Sequence, residues 1–229
     1  MTTSAPATAP PVAGAVSPWW SRVAAVEVAL GSAAVVLDLA IPSLVLLALA
    51  GISLAVRRQG LGSLGLVRPT RAHLVEGTAA FAVLWSLFQL AVTMPVANHL
   101  SGHRQDMGVF ADVEGDLGLL VVLVVLSWTL AAIVEEVAFR GFLLTRLRDA
   151  IGHGRTGLLL AVVVSSVLFG VLHSEQGLVG VVIVALDAVA FCALRLHYGT
   201  LWASVLAHGF NNTLGLVTFF FVGPLYGLW

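Results

Sequence analysis

Apolar residues in this chain come in long unbroken runs rather than in alternation with polar ones. A helix that crosses a bilayer needs about 20 predominantly apolar residues. On that measure the pattern predicts seven spans, at about 22–39, 41–56, 75–97, 117–134, 156–173, 177–194 and 199–221. The fold class is therefore all-α, a polytopic transmembrane helix bundle of about 7–8 spans, with room for one re-entrant segment. The first two spans form a tight hairpin through residues 40–43, and the third bends near Pro95. The fourth runs on in a helical pattern to Arg148 and ends at a glycine-rich turn, residues 151–154. Residues 57–69 are too polar and glycine-rich to span and read as an interfacial loop. Residues 98–116 form a second loop, which carries His99, His103, Arg104, Asp106, Asp112, Glu114 and Asp116.

The same pattern divides the chain into a tail at 1–20, an N-terminal transmembrane hairpin with its interfacial loop at 21–74, and a core at 75–229. The tail is rich in Ala, Pro, Ser and Thr, which predicts disorder. It lacks the basic n-region of a signal peptide, so the first apolar run reads as a retained anchor.

Composition strengthens the membrane reading. The chain is 59% hydrophobic and only 10% charged, with mean hydropathy +1.00, whereas soluble proteins are roughly a quarter charged. The lipid bilayer is the expected surrounding, and the protein reads as an integral multi-pass protein of the cell membrane. A net charge of −1 argues against a nucleic-acid partner. The single cysteine, Cys192, lies in an apolar run and reads as a packing residue. All eleven basic side chains are arginines. With alternating spans, Arg22, Arg57, Arg58, Arg68, Arg71, Arg146, Arg148, Arg155 and Arg195 fall on one face. Basic loops stay cytoplasmic, which predicts a cytoplasmic N-terminus.

Against this apolar background the ionisable groups inside spans read as functional. Glu135 and Glu136 are adjacent at the end of the fourth run. On a helix of 3.6 residues per turn they point about 100° apart and cannot share a face. Glu136 and Arg140 are four apart with the acid first, the favourable order for an ion pair, so Glu136 reads as structural. That leaves Glu135 unpaired. A carboxylate in a poorly solvated bundle suits a proton-handling group. His173 closes the fifth span, and His208 lies inside the seventh with Asn212 on the same helical face; Asn211 is a rival for Asn212. Folding the fourth and fifth spans back at the glycine turn puts Glu135 about 20 Å and His173 about 26 Å from it, at similar depth. His208 and Asn212 then join them from the seventh span.

Two mechanisms fit these residue types. Glu135 and His173 can activate a water while His208 and Asn212 stabilise an oxyanion. Alternatively, Glu135, His173 and His208 can form a His₂Glu zinc site, although no HExxH is present. Asp187, central in the sixth span, reads as protonated or bonded to a neighbouring helix. Trp85 and Gln89 share a face of the third span and read as packing residues or as a groove wall.

The three motifs, Glu135-Glu136-x-x-x-Arg140, Phe169-x-x-x-His173 and His208-x-x-x-Asn212, together resemble the CPBP intramembrane protease family. That family includes the type II CAAX prenyl endopeptidases and bacterial Abi-type proteins. The resemblance spans about 75–221, and residues 61–69 look like the family's lead-in. It implies peptide-bond hydrolysis in a membrane-associated peptide or protein. Glu135 and His173 would activate water, His208 and Asn212 would stabilise the oxyanion, and Glu136 and Arg140 would support them. It also favours a metal-free site over zinc. The alternative is a non-catalytic scaffold, immunity protein or transporter that keeps these polar residues, with Glu27, Asp38 and Asp187, for packing or proton coupling.

Overall fold

Each of the seven apolar runs forms a helix in the computed structural model, which describes residues 17–223. They are α1 (Pro18–Val36), α2 (Pro42–Arg57), α3 (Leu74–Ser101), α4 (Leu117–Ile151), α5 (Arg155–Val171), α6 (Gly177–Tyr198) and α7 (Leu201–Val222). No strand occurs among the described residues. Five helices are long and apolar enough to cross a membrane: α1, α3, α4, α6 with its lead-in turn, and α7. α2 and α5 are apolar but shorter, at 16 and 17 residues. By length and composition, five of the described helices meet the criterion for a span, so the expected seven to eight are matched only in part, with two shorter apolar helices beside them.

The ends of the helices follow local chemistry. The tail expected at 1–20 lies outside the described residues as far as residue 16. Ser17 caps α1, its hydroxyl accepting from the Trp20 amide, and Pro18 opens the helix, so residues 18–20 belong to α1. The α1–α2 hairpin forms as expected, with Asp38 (φ 48°) and Ala40 (φ 55°) in left-handed turn conformations. Asp38 is therefore an exposed turn residue and not a charge within a span.

Two helices widen where the sequence had predicted ordinary turns. In α3, residues Gln89–Thr93 form a π turn directly before Met94 and Pro95. Pro95 has no amide proton to give, and the wider turn absorbs the lost bond and the bend. In α4, Ser127–Leu143 is wound with π-type bonds, and the Leu144 amide reaches back to the Phe139 carbonyl. That carbonyl also accepts from Ser165 on α5 at 3.2 Å. Such widening is most often found at functional positions.

α4 is the centre of the bundle. Nearly every residue from Glu136 to Leu147 is buried. One face, with Phe139 and Leu143, packs with α1, α2, α5 and α6. Another, with Val137 and Phe142, packs with α2, α7 and Leu64 of the segment between α2 and α3. That segment was expected to be interfacial. It is pinned to the α6–α7 junction by Leu201 N–H to the Gly65 carbonyl (2.8 Å), Thr200 to Val67 (2.8 Å) and Arg195 to Leu64 (3.1 Å). At the Arg-rich end of α4, Arg146 is 1% exposed and bonds Ser53 (3.0 Å), Gln59 (3.0 Å) and Asp149 (2.7 Å). Glu27 pairs with Arg57 at 2.5 Å and lies 3.7 Å from Arg146. Glu27 thus belongs to an ion-pair network that joins α1, α2 and α4.

α5 and α6 approach closely at Gly170. A Cβ there would run into the Val181 carbonyl and come within 3.0 Å of the Ala185 side chain. Small residues permit such approach between helices that lipid cannot drive together by the hydrophobic effect. Gly170→Ala is expected to cost about 1–3 kcal/mol through overpacking. Thermal unfolding of the purified variant in detergent measures this, and an unchanged midpoint would show that α5 and α6 are not held at that distance.

Candidate active site

The winding of α4 sends its two adjacent glutamates in different directions, as their expected divergence requires. Glu136 points into the core and is 0% exposed. Its Oε1 lies 3.1 Å from Arg140 Nη1 and 3.0 Å from His208 Nδ1 on α7. Arg140 is also 0% exposed. Its guanidinium sits 3.9 Å over the Phe169 ring and 5.6 Å from that of Phe191. A buried charge is tolerated only when compensated. Here one carboxylate and two aromatic faces compensate the cation. The Phe191 ring also stacks on His208, with centroids 5.2 Å apart and planes 20° apart.

Glu135 turns the other way, into a partly open cavity of about 610 Å³. Its Oε2 is buried and has no hydrogen-bond partner among the described residues. His173, His208 and Asn212 line the same cavity, with Asn211, Asp187 and a largely apolar wall. The sequence-predicted quartet of Glu135, His173, His208 and Asn212 therefore meets around one space, while Glu136 and Arg140 stand behind it.

Hydrogen bonds define the state of both imidazoles. His173 Nδ1 lies 3.0 Å from the Phe169 carbonyl, which can only accept, so Nδ1 carries the proton and Nε2 is left for other partners. His208 Nδ1 likewise donates to the Glu136 carboxylate, leaving its Nε2. Glu136 is thus more than half of a structural ion pair, because it also orients His208. Asn211 accepts from Ser86 of α3 at 2.9 Å and ties two helices together. The Asn212 side chain makes no hydrogen bond among the described residues.

The zinc alternative requires Glu135, His173 and His208 to converge on one ion. Among the described residues no group of three or more His, Cys, Asp and Glu side chains is placed to hold a metal. As placed, these side chains do not form a zinc ligand set.

Three features of the site were not read from the sequence. Phe191 is an apolar residue in an apolar helix and carries no signal of its own. The bond from His208 to Glu136 crosses 72 positions. Asp187 Oδ1 accepts from Trp85 Nε1 (2.6 Å) and from Gln89 Nε2 (2.5 Å). The shared face of Trp85 and Gln89 was the available clue to that last contact.

Fold and site together describe a helical membrane protein with a carboxylate–histidine cavity enclosed by its helices. Residues 117–214 match the family model described as type II CAAX prenyl endopeptidase Rce1-like, which bears out the resemblance drawn from the three motifs. The matched segment runs from the start of α4 into α7 and contains all seven motif residues. No curated protein and no solved structure matches the chain.

Glu136→Ala leaves Arg140 buried without its counter-charge and is expected to destabilise the fold by about 3–5 kcal/mol. The exchanged pair Glu136→Arg with Arg140→Glu is expected not to restore stability, since residue 136 would then turn a cation toward His208. Thermal unfolding of both variants measures this. Recovery of the wild-type midpoint by the exchanged pair would show that Glu136 serves Arg140 alone.

Proposed function

We propose that this protein is an intramembrane endopeptidase that hydrolyses a peptide bond in a membrane-associated peptide or protein. The observation that carries the reading is the meeting of Glu135, His173, His208 and Asn212 around one cavity, within the segment that matches the Rce1-like family.

Glu135 takes a proton from a water while His173 Nε2 accepts the other hydrogen and orients the molecule. The water oxygen attacks the scissile carbonyl carbon, and the carbonyl oxygen becomes an oxyanion. Asn212 donates an amide N–H to it. His208 donates from Nε2 when its ring carries both protons, and Glu136, bonded at Nδ1, supplies the counter-charge for that form. Collapse of the tetrahedral intermediate breaks the C–N bond. The proton held by Glu135 passes to the leaving amine, and the new carboxylic acid keeps the water's second hydrogen, giving an acid and an amine as products. All groups come from the chain itself, so the reading is metal-free.

Glu135→Gln retains size and hydrogen bonding but cannot take the proton. It is expected to lower cleavage by at least about 100-fold. Comparison of peptide termini in the membrane fractions of wild-type and Glu135→Gln cells measures this, because termini found only in wild type report the activity and its target. Chelator treatment of the purified protein is expected to leave cleavage unchanged. Loss on chelation with recovery on adding zinc would overturn the metal-free reading, and a full set of termini in Glu135→Gln cells would overturn the role of Glu135.

The Arg-rich helix ends, with Arg57, Arg58, Arg146, Arg148, Arg155 and Arg195, are assigned to the cytoplasmic face. The segment 98–116 and the cavity mouth then lie opposite. A cysteine at exposed Asp112, in a Cys192→Ser background, is expected to react with a membrane-impermeant maleimide on intact cells. Protection until lysis would reverse the orientation.

A further inference from the structure

The proposed reaction gives no task to Asp187 of the cavity wall. Asp187 lies in the middle of α6, where an uncompensated charge is costly. Its compensation is lopsided. Trp85 and Gln89, one turn apart on α3, both donate to Oδ1, and the side chain borders the cavity. Oδ2 receives no hydrogen bond from the described residues. Holding Trp85 and Gln89 requires only a neutral acceptor, such as the amide oxygen of Asn. The negative charge exceeds what that structural task needs.

No guanidinium at the cavity wall pairs with it among the described residues. Although the chain has eleven arginines, no Arg lines the cavity among the described residues, whereas Glu135, Glu175 and Asp187 do. Arg140, the cation behind the wall, is taken up by Glu136 and Phe169. Around the mouth, the segment that supplies Gln105 and Phe110 to the lining carries four acids, Asp106, Asp112, Glu114 and Asp116, against one arginine, Arg104. An apolar cavity with a fixed, half-bonded carboxylate is complementary to an apolar chain bearing a cation. It is poorly complementary to a short peptide ending in a free carboxylate.

On the reading of this cavity as a proteolytic site, we propose that Asp187 is a substrate-recognition residue that receives an Arg or Lys side chain close to the scissile bond. The substrate is then an apolar membrane segment interrupted by a basic residue. Trp85 and Gln89 are positioning residues that hold the carboxylate toward the cavity.

The test compares membrane-fraction peptide termini from cells carrying wild type, Glu135→Gln or Asp187→Asn. Asp187→Asn keeps an acceptor for Trp85 and Gln89 and removes the charge. Termini that require Glu135 define the substrates. These are expected to have Arg or Lys within a few residues of the cut, and to fall by about tenfold or more in Asp187→Asn cells. Should Asp187→Asn fail to accumulate, Asp187→Glu is set against Asp187→Gln at matched protein level. The charged variant is expected to retain the basic-flanked termini and the neutral one to lose them. Glu135-dependent termini without a nearby basic residue overturn the assignment of Asp187 and leave the protease intact. So does persistence of basic-flanked termini at wild-type abundance in Asp187→Asn cells, or equal behaviour of the Glu and Gln variants. An absence of any Glu135-dependent terminus overturns the proteolytic reading itself, and this inference with it.

Discussion

The Glu136 carboxylate is the constraint around which this bundle is arranged. It lies at full burial in the central helix and is shared by a guanidinium from its own helix and an imidazole from α7. A charge placed there is costly unless everything around it is in register. Phe169 from α5 must cover Arg140, and Phe191 from α6 must back His208. Four helices are thereby fixed relative to one another by one oxygen and two rings. The packing that satisfies Glu136 is also the packing that turns Glu135 outward into the cavity. Stability and the geometry of the candidate site are the same set of contacts seen from two sides.

Such an arrangement suits a reaction that consumes water inside an apolar bundle. The Glu136–Arg140 pair is kept behind the Phe169 and Phe191 rings, while Glu135 faces the cavity with its Oε2 unpartnered among the described residues. Both imidazoles have Nδ1 committed, one to a backbone carbonyl and one to a carboxylate. Neither ring must reorient before it acts, the usual meaning of preorganisation. The apolar remainder of the wall is suited to holding a membrane segment, with the few polar groups fixing where along that segment chemistry takes place.

Much of this was legible in the sequence, and what was not has a common cause. Long apolar runs gave away the helices, because burial in lipid demands them. The glycine turn at 151–154 gave the antiparallel return of α5, and the i,i+4 spacing gave the Glu136–Arg140 pair. Each of these signals is local. The bond from His208 to Glu136 and the bonds from Trp85 and Gln89 to Asp187 are contacts between helices, and spacing along one helix cannot show them. Glu136 was therefore read as purely structural, because its second partner lies far along the chain. The widening of α3 and α4 was missed because a π turn has no side-chain pattern of its own; only Pro95 hinted at it. Glu27 and Asp38 looked alike as acids near span ends, yet one is locked between arginines and the other sits in a turn.

The segment that matches the family begins at α4, but α4 does not end its obligations there. At its Arg-rich end Arg146 reaches back to Ser53, Gln59 and Glu27, all of them on or beside α1 and α2, and the faces of Ala138 and Leu143 lie against Ala34 and Leu46. Excised at the boundary of its sequence similarity, the segment would carry a buried guanidinium stripped of three of its partners and an apolar face with nothing to meet. The segment that matches the family model is smaller than the set of helices that pack on α4. The first two helices act as a brace on α4, meeting it at Arg146 and along the face of Leu143.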